Sequence, residues 1–298
     1  MNLRVVAVTG PAWLALQNRA VIVQREGNIL GRIPLEDVAI IVIDGPDVTI
    51  SHQLLSQAVA NKIAVVIADE KHVPSGVLLP LAGHSTHTAI LRSQIAASKP
   101  SLKRTWQTIV RSKVLAQAQL LEDRHLDSKP IRRLLPFIRS GDPDNIEGQA
   151  ASKYFDLAFG EDFKRQRNAE GINGLLNYGY AVLRAAVARA IVGAGLHPAL
   201  GIHHQNQYNA FCLADDAMEP LRPLIDWTTL KYIDQADPDD VAVTPKTKRI
   251  LVAALGQKVL LQDQESPLLV GLDRYAANLR RAICDGDELH CPIPRFEP

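Results

Sequence analysis

Cysteine is scarce in this chain, and the three present, Cys212, Cys284 and Cys291, form no CxxC pair. That excludes a disulfide-stapled scaffold and a structural zinc site built from paired cysteines, and it fits a reducing compartment. Long apolar runs are missing too. The strongest, Val38 to Ile43, is far too short to cross a bilayer, and the opening MNLRVVAVTG has no signal-peptide core. No membrane association and a cytoplasmic location are therefore expected. A charge excess is also lacking, with 33 Lys and Arg against 32 Asp and Glu. A nucleic-acid binder of this balance needs its basic groups clustered locally or supplied by a partner. No Walker phosphate loop, no GxGxxG after a strand and no HExxH is found, which removes P-loop, dinucleotide and zincin chemistry.

What remains is an ordinary globular composition, 47% hydrophobic and 22% charged over 298 residues. The length allows one large domain or two. The first ~75 residues read as strands, because Val5–Val8, Val21–Gln24, Val38–Ile43 and Ile63–Ala68 are rich in Val and Ile and are punctuated by Gly, Pro and Asp. One helix interrupts them, with Ser51 as its N-cap and Leu54, Leu55, Ala58 and Val59 as its stripe. After Pro80 the period becomes 3.6, and helices are expected near 87–98, 101–122, 130–139, 143–159, 171–194, 208–225, 246–261 and 267–284. The expected class is α+β: a β-rich domain over 1–75, suited to dimerisation, then a larger all-α domain over 76–298 carrying the chemistry. The boundary is placed in the stretch from Lys71 to Gly83, where Pro74, Gly76, Pro80 and Gly83 cluster.

Three segments set polar groups among small or apolar neighbours. In Asn145-Ile146-Glu147-Gly148-Gln149-Ala150-Ala151, Asp142 or Asp144 can cap a helix that has Glu147 in its first turn, with little bulk beside it. A plain alternative is a glutamate that offsets the helix macrodipole. Gly201-Ile202-His203-His204 follows a helix stop and offers imidazole, a metal ligand or a base. Its plain alternative has one ring packed and the other solvated. Asp215-Asp216-Ala217-Met218-Glu219 starts a helix that Asn209 can cap. Its acids fall at i, i+3 and i, i+4, where like charges cost roughly a few tenths of a kcal/mol unless a cation sits between them. A solvated acidic patch paired with Arg222 or a lysine is the alternative. Together the segments supply carboxylate, imidazole and carboxylate. Such a set suits Mg²⁺ or Mn²⁺, with the histidine favouring Mn²⁺.

The run Gly195 to Pro223, GLHPALGIHHQNQYNAFCLADDAMEPLRP, resembles the CRISPR adaptation integrases, the Cas1 endonuclease family. So do Ile146 to Phe155, IEGQAASKYF, and Gly174 to Arg184, GLLNYGYAVLR. The motifs match in order and spacing, and the sheet-then-helix layout covers essentially the whole chain. The resemblance implies a metal-dependent DNA endonuclease and integrase that inserts short foreign fragments (spacers) into the CRISPR array. It implies a homodimer, with a dimer of the small Cas2 protein bridging two such dimers, and double-stranded DNA as substrate. It assigns Glu147, His204 and Glu219 as catalytic metal ligands, with Asp216 as a helper. Gly-plus-three spacing favours His204 over His203. Some relatives have Asp where Glu219 stands; Glu is one methylene longer, which puts Asp216 in doubt as a direct ligand. The wording around Gly201 and Asp215 looks most like members from type II systems, which accompany a single RNA-guided effector nuclease.

Phosphate contacts are expected from basic clusters, first among them Lys164, Arg165 and Arg167, and Lys246, Lys248 and Arg249. Solvated helix faces are the alternative for each. Other functions consistent with the same residues are a stand-alone structure-selective DNA nuclease and a catalytically idle DNA-binding scaffold.

Overall fold

The structure is a computed structural model that describes residues 3–70, 74–166, 169–237, 240–261 and 264–287. Its N-terminal part holds two four-stranded sheets. In the first, β1 (Arg4–Val8), β5 (Val38–Ile43) and β7 (Ala64–Ala68) run parallel, and β8 (Pro74–Leu78) closes the edge antiparallel to β7. In the second, β4 (Asn28–Pro34), β3 (Ala20–Arg25) and β2 (Ala12–Gln17) form a meander, and β6 (Val48–Ile50) pairs parallel to β2. Helix α1 (His52–Ala60) connects β6 to β7, and the Ser51 hydroxyl accepts the Leu54 N–H at its start, as expected for an N-cap.

The unbroken apolar run of β5 has a physical reason. Side chains alternate across a strand, and this one is covered on both faces. Ile40 and Val42, with Ala64 and Val66 of β7, join the core of the helical part. Ile41, Ile63 and Val65 face the other way, into a core with Leu14, Val21, Leu54 and Ala58. The first sheet is thus the seam between the two parts. Strand β8 runs across the expected division after residue 75 and stays hydrogen-bonded to the sheet.

The helical part is built around α3 (Lys99–Asp123) and α6 (Ile172–Gly193). Helix α6 is long and apolar enough to span a membrane, but 78% of its apolar window is buried inside the protein. Its alanines, such as Ala185, Ala186, Ala188 and Ala190, lie in the core. Around these two stand α2 (His87–Ile95), α4 (Lys129–Arg132), α5 (Ile146–Phe159), α7 (Cys212–Met218), α8 (Arg222–Ile233), α9 (Pro245–Ala253) and α10 (Leu268–Cys284).

Three helix expectations need correcting. The stretch 208–225 is not one helix: α7 begins at Cys212, a 3₁₀ turn takes Glu219–Leu221, and α8 follows. Pro220 and Pro223 lack the N–H that a continuous helix requires, so the chain turns there. The stretch 246–261 ends as a helix at Ala253 and continues into β9 (Lys258–Leu261), which pairs antiparallel with β10 (Gln264–Pro267). The larger part therefore carries a small hairpin among its helices. Over 130–139, only α4 and a 3₁₀ turn at Leu135–Phe137 form.

Candidate active site

Glu147 is the second residue of α5, and the loop before it is held tightly. The buried Asp142 carboxylate accepts the N–H groups of Ile146 and Glu147, each at 2.9 Å. Asn145, left-handed at φ 51°, is the N-cap and accepts the Gly148 N–H at 3.3 Å. A Cβ on Gly148 would lie 2.8 Å from the Asn145 amide. The small residue after Glu147 therefore makes room for the cap.

The Glu147 carboxylate meets Lys113, a residue of α3 that the sequence reading did not single out. The Lys113 ammonium bridges Glu147 Oε1 and Glu219 Oε2. Lys113 and Glu219 are nearly sealed from solvent, at 7% and 8% side-chain exposure, and Glu147 is at 24%. The second Glu219 oxygen accepts from Arg222 Nε at 2.9 Å. Burial by itself would raise the Glu219 pKa, but the charges of Arg222 and Lys113 outweigh it and hold the group at about 2. Burial likewise opposes the Lys113 charge, yet Glu219 and Glu147 prevail and its pKa lies above the ordinary lysine value. The alternative of an acidic patch with cationic partners thus had the right partners, Arg222 and a lysine, but the group is buried.

Asp216 is fully buried, and its part is to shape the histidine loop. One oxygen accepts the N–H groups of Ile202 at 2.6 Å and His203 at 2.9 Å. The other faces His204 Nδ1 at 2.5 Å and accepts the His204 N–H at 3.3 Å. Gly201 is required for this approach, since a Cβ there would lie 2.2 Å from the His204 carbonyl oxygen and 3.0 Å from Asp216 Oδ2. The hydrogen bond to Asp216 raises the His204 pKa, with Glu219 and Asp215 contributing through their charge. His204 is half exposed and lies within reach of the field of Glu219. His203 stacks flat on the buried Trp106, with ring centroids 4.3 Å apart. Asn209 does not cap α7; it accepts the Phe211 N–H and donates to Asp215.

Behind Glu219 runs a buried polar chain. Arg222 lies over the Tyr180 ring, 4.6 Å from its centroid, and the hydroxyls of Tyr180 and Tyr154 both donate to the buried Asp226. Burial pushes the Asp226 pKa up from 3.8 to about 6, against the two tyrosine hydrogen bonds that lower it. Arg222 and Asp226 follow Glu219 by three and seven residues, whereas Tyr154 and Tyr180 come from the distant runs Ile146 to Phe155 and Gly174 to Arg184. Their inward burial is what joins them into one chain.

The donor chemistry suits a divalent cation. Two carboxylates already converge on one positive charge, and a histidine held at Nδ1 by a carboxylate turns its Nε2 outward, the arrangement common to metal-binding imidazoles. Among the described residues, however, no three His, Cys, Asp or Glu side chains stand close enough together to hold a metal ion. Between the two glutamates stands the Lys113 ammonium.

The basic clusters divide. Lys164 is exposed near Asp156, and Lys246 and Arg249 are exposed on α9. Arg165 turns inward, donating to Asn173 Oδ1 at 2.8 Å and Asn177 Oδ1 at 2.6 Å. Lys248 does not belong to a phosphate track. Its side chain is buried in a 2.5 Å ion pair with Asp44, which follows β5, so its ammonium ties helix α9 to the first sheet. One turn of α9 brings 248 to the inner face while 246 and 249 stay outside. Arg167 and Cys291 lie outside the described residues.

Comparison with known proteins agrees with this architecture. The profile of the family described as CRISPR associated protein Cas1 matches residues 5–265. A CRISPR-associated endonuclease Cas1 from Neisseria meningitidis serogroup C (strain 8013) is 36% identical over 300 residues, covering 100% of this chain and 98% of that protein. Among solved structures, a casposase bound to integration product superposes with a TM-score of 0.79 at 20% identity, covering 99% of this chain and 95% of the other. A Cas1 protein from Thermotoga maritima superposes with a TM-score of 0.76 at 18% identity, covering 99% and 100%. At those identities the structures establish the fold, and the profile with the full-length relative establishes the kinship: the chain belongs to the CRISPR-associated Cas1 family.

Proposed function

We propose that this protein is a CRISPR adaptation integrase, a DNA endonuclease that inserts short foreign fragments into the CRISPR array by transesterification. The observation that carries this reading is the convergence of Glu147 and Glu219 on one cationic centre, with a histidine that Asp216 holds in place within the electrostatic reach of Glu219. The full-length relative named as an endonuclease, and the likeness to a casposase bound to its integration product, support it.

Glu147, Glu219 and His204 would hold Mg²⁺ or Mn²⁺ after drawing closer together than they stand in this structure. Bound there, the ion supplies Lewis acidity to the phosphoryl oxygen and neutralises charge on the attacking or leaving oxygen. The chain's own residues do the remaining work. In the reaction, the 3′-oxygen of the fragment forms a bond to an array phosphorus, the phosphorus–O3′ bond of the array strand breaks, and the proton of the attacking hydroxyl passes to a base. If His204 does not ligate the ion, it is instead the candidate base or donor: Asp216 fixes Nδ1, so Nε2 is the nitrogen that can either ligate or accept and return a proton. Arg222 backs Glu219 and keeps it ionised. Asp216 positions the loop and is not assigned as a ligand, since both of its oxygens are engaged.

The expected partners are double-stranded DNA (spacer fragment and array), a second copy of this chain, and a Cas2 dimer bridging two such dimers in the cytoplasm, with an RNA-guided effector nuclease of a type II system as a further associate. A solved Cas6-RT-Cas1–Cas2 complex superposes with a TM-score of 0.78 at 20% identity, its chain being longer so that this one covers 37% of it. Pairing of two copies is supported by β4, an edge strand that exposes Ile29 at 52% and Leu30 at 59%. Near-neutral total charge also favours an assembly, because this chain alone has no basic excess to hold a duplex.

The test is integration of a labelled fragment into a supercoiled array plasmid with Mn²⁺, with and without Cas2. Glu147→Ala and His204→Ala are expected to abolish insertion while leaving the fold intact by circular dichroism. Wild-type levels of insertion by either variant would show that the site is misassigned.

A further inference from the structure

The Lys113 ammonium sits between Glu147 and Glu219, where the reading above needs a metal ion. Two carboxylates, one nearly buried, cannot both stay ionised at close range without a positive charge between them. In this structure α3 supplies that charge from within the chain. Lys113 comes from the middle of the longest helix, flanked by the buried residues Ser112 and Val114, so the stem is packed and only the ammonium reaches the carboxylates. Glu219 has a permanent second partner in Arg222, whereas the Glu147 hydrogen bond to Lys113 is the one found for its carboxylate among the described residues.

We propose that Lys113 is a built-in counter-cation that holds the two glutamates together in the metal-free protein and must give them up when a divalent ion binds. This rests on the metal-site reading of Glu147 and Glu219. Metal loading is then an exchange of one cation for another. The ammonium stays charged throughout and moves; it does not lose a proton. The exchange lets the apo site remain folded with its acids already converged. It also sets a threshold for metal, since every ion bound has to displace an internal competitor whose local concentration is high. Lysine suits this role better than arginine, because an ammonium on a flexible four-carbon stem can swing aside without breaking a planar, two-point bond.

Two measurements on the full-length protein test the exchange. In the first, Mn²⁺ is titrated calorimetrically into wild type, Lys113→Met and Glu147→Ala, and each is melted in chelator. Lys113→Met is expected to melt lower than wild type without metal, to regain that loss with Mn²⁺, and to bind Mn²⁺ at least about tenfold more tightly. In the second, the Nζ resonance of Lys113 is followed by NMR in the wild-type protein, which removes any dependence on how the variant folds. That signal is expected to be protected from solvent exchange without metal and to lose its protection as Mg²⁺ is added. If Lys113→Met binds Mn²⁺ no more tightly than wild type, or if the protected signal persists at saturating Mg²⁺, the exchange is wrong. In that outcome, loss of Mn²⁺ binding in Glu147→Ala would leave the metal site itself standing. Absence of Mn²⁺ binding in wild type and Lys113→Met alike overturns both.

Discussion

Asp216 and His204 form a unit in which a buried carboxylate oxygen meets the imidazole Nδ1 at 2.5 Å and also accepts the backbone N–H of the same residue. The same carboxylate binds Ile202 and His203 through their N–H groups. The loop is therefore wrapped on Asp216, and the ring orientation follows from the loop. Asp216→Ala leaves three N–H groups without their acceptor, and breaking a buried charged hydrogen-bond set of this kind costs about 3–5 kcal/mol. Asp216→Asn keeps the shape but loses half of the acceptor capacity. The expected order in thermal melting is wild type, then Asn, then Ala, with insertion activity falling in both variants. An Asp216→Ala protein that melts like wild type would show that the loop is held by something else.

The buried Asp226 makes stability depend on pH. Its folded pKa of about 6 lies above the unfolded value of 3.8, so the folded state binds a proton that the unfolded state releases in between. The contribution is fully present below about pH 4, falls as pH rises toward about 6, and is flat above that, a total of about 3 kcal/mol at ~1.4 kcal/mol per pKa unit. Asp226→Asn carries no such titration. The stability difference between variant and wild type, from urea unfolding at pH 4 to 7, is expected to shift in favour of the variant across that window. A difference that stays constant with pH contradicts the assignment.

The Lys248–Asp44 pair links α9 to the first sheet in a dry site. Removing one charge strands the other. Lys248→Met or Asp44→Ala alone is expected to cost about 3–5 kcal/mol, whereas Lys248→Met with a neutral, shape-filling residue such as Asn at Asp44 recovers most of that loss. Chemical denaturation of the single and double variants checks this through the coupling energy. Additive losses would show that the two residues do not act on each other.

Lys246 and Arg249 remain outside when Lys248 is taken inward. If they contact phosphates, replacing both by Ala weakens binding of any duplex sequence equally. It also lowers the slope of log affinity against log salt by about 2, near ~0.9 per contact. Fluorescence anisotropy at several salt concentrations measures both effects. An unchanged slope removes α9 from the DNA track.

Much of the local structure was legible along the chain. Ser51 caps α1, the Val and Ile runs are the central strands, and the long 3.6-period stretches are α3, α6 and α10. Strands β2, β4, β6 and β8 were not, because β6 has only three residues, Gly31 and Gly76 interrupt β4 and β8, β2 is rich in Ala and Leu, and pairing with a neighbour decides what such a segment becomes. The helix expected over 246–261 failed at its end for the same reason: Lys258–Leu261 is a strand by virtue of its pairing with Gln264–Pro267.

The residues of the site divide in a similar way. By itself the sequence determined the order of the candidate residues, Glu147, His203 and His204, then Asp216 and Glu219, together with the family they announce. Tertiary structure decided which of them meet and what stands between them. Lys113 lies 34 residues from Glu147 and 106 from Glu219, and the packing of α3 against α5 and the turn after α7 brings one ammonium to both. The same kind of packing turned Asp216 into the anchor of a loop and Lys248 into a buried tie. A charge in a sequence is an address with no depth: whether it meets water, a phosphate or an opposite charge is set by burial, and burial belongs to the fold.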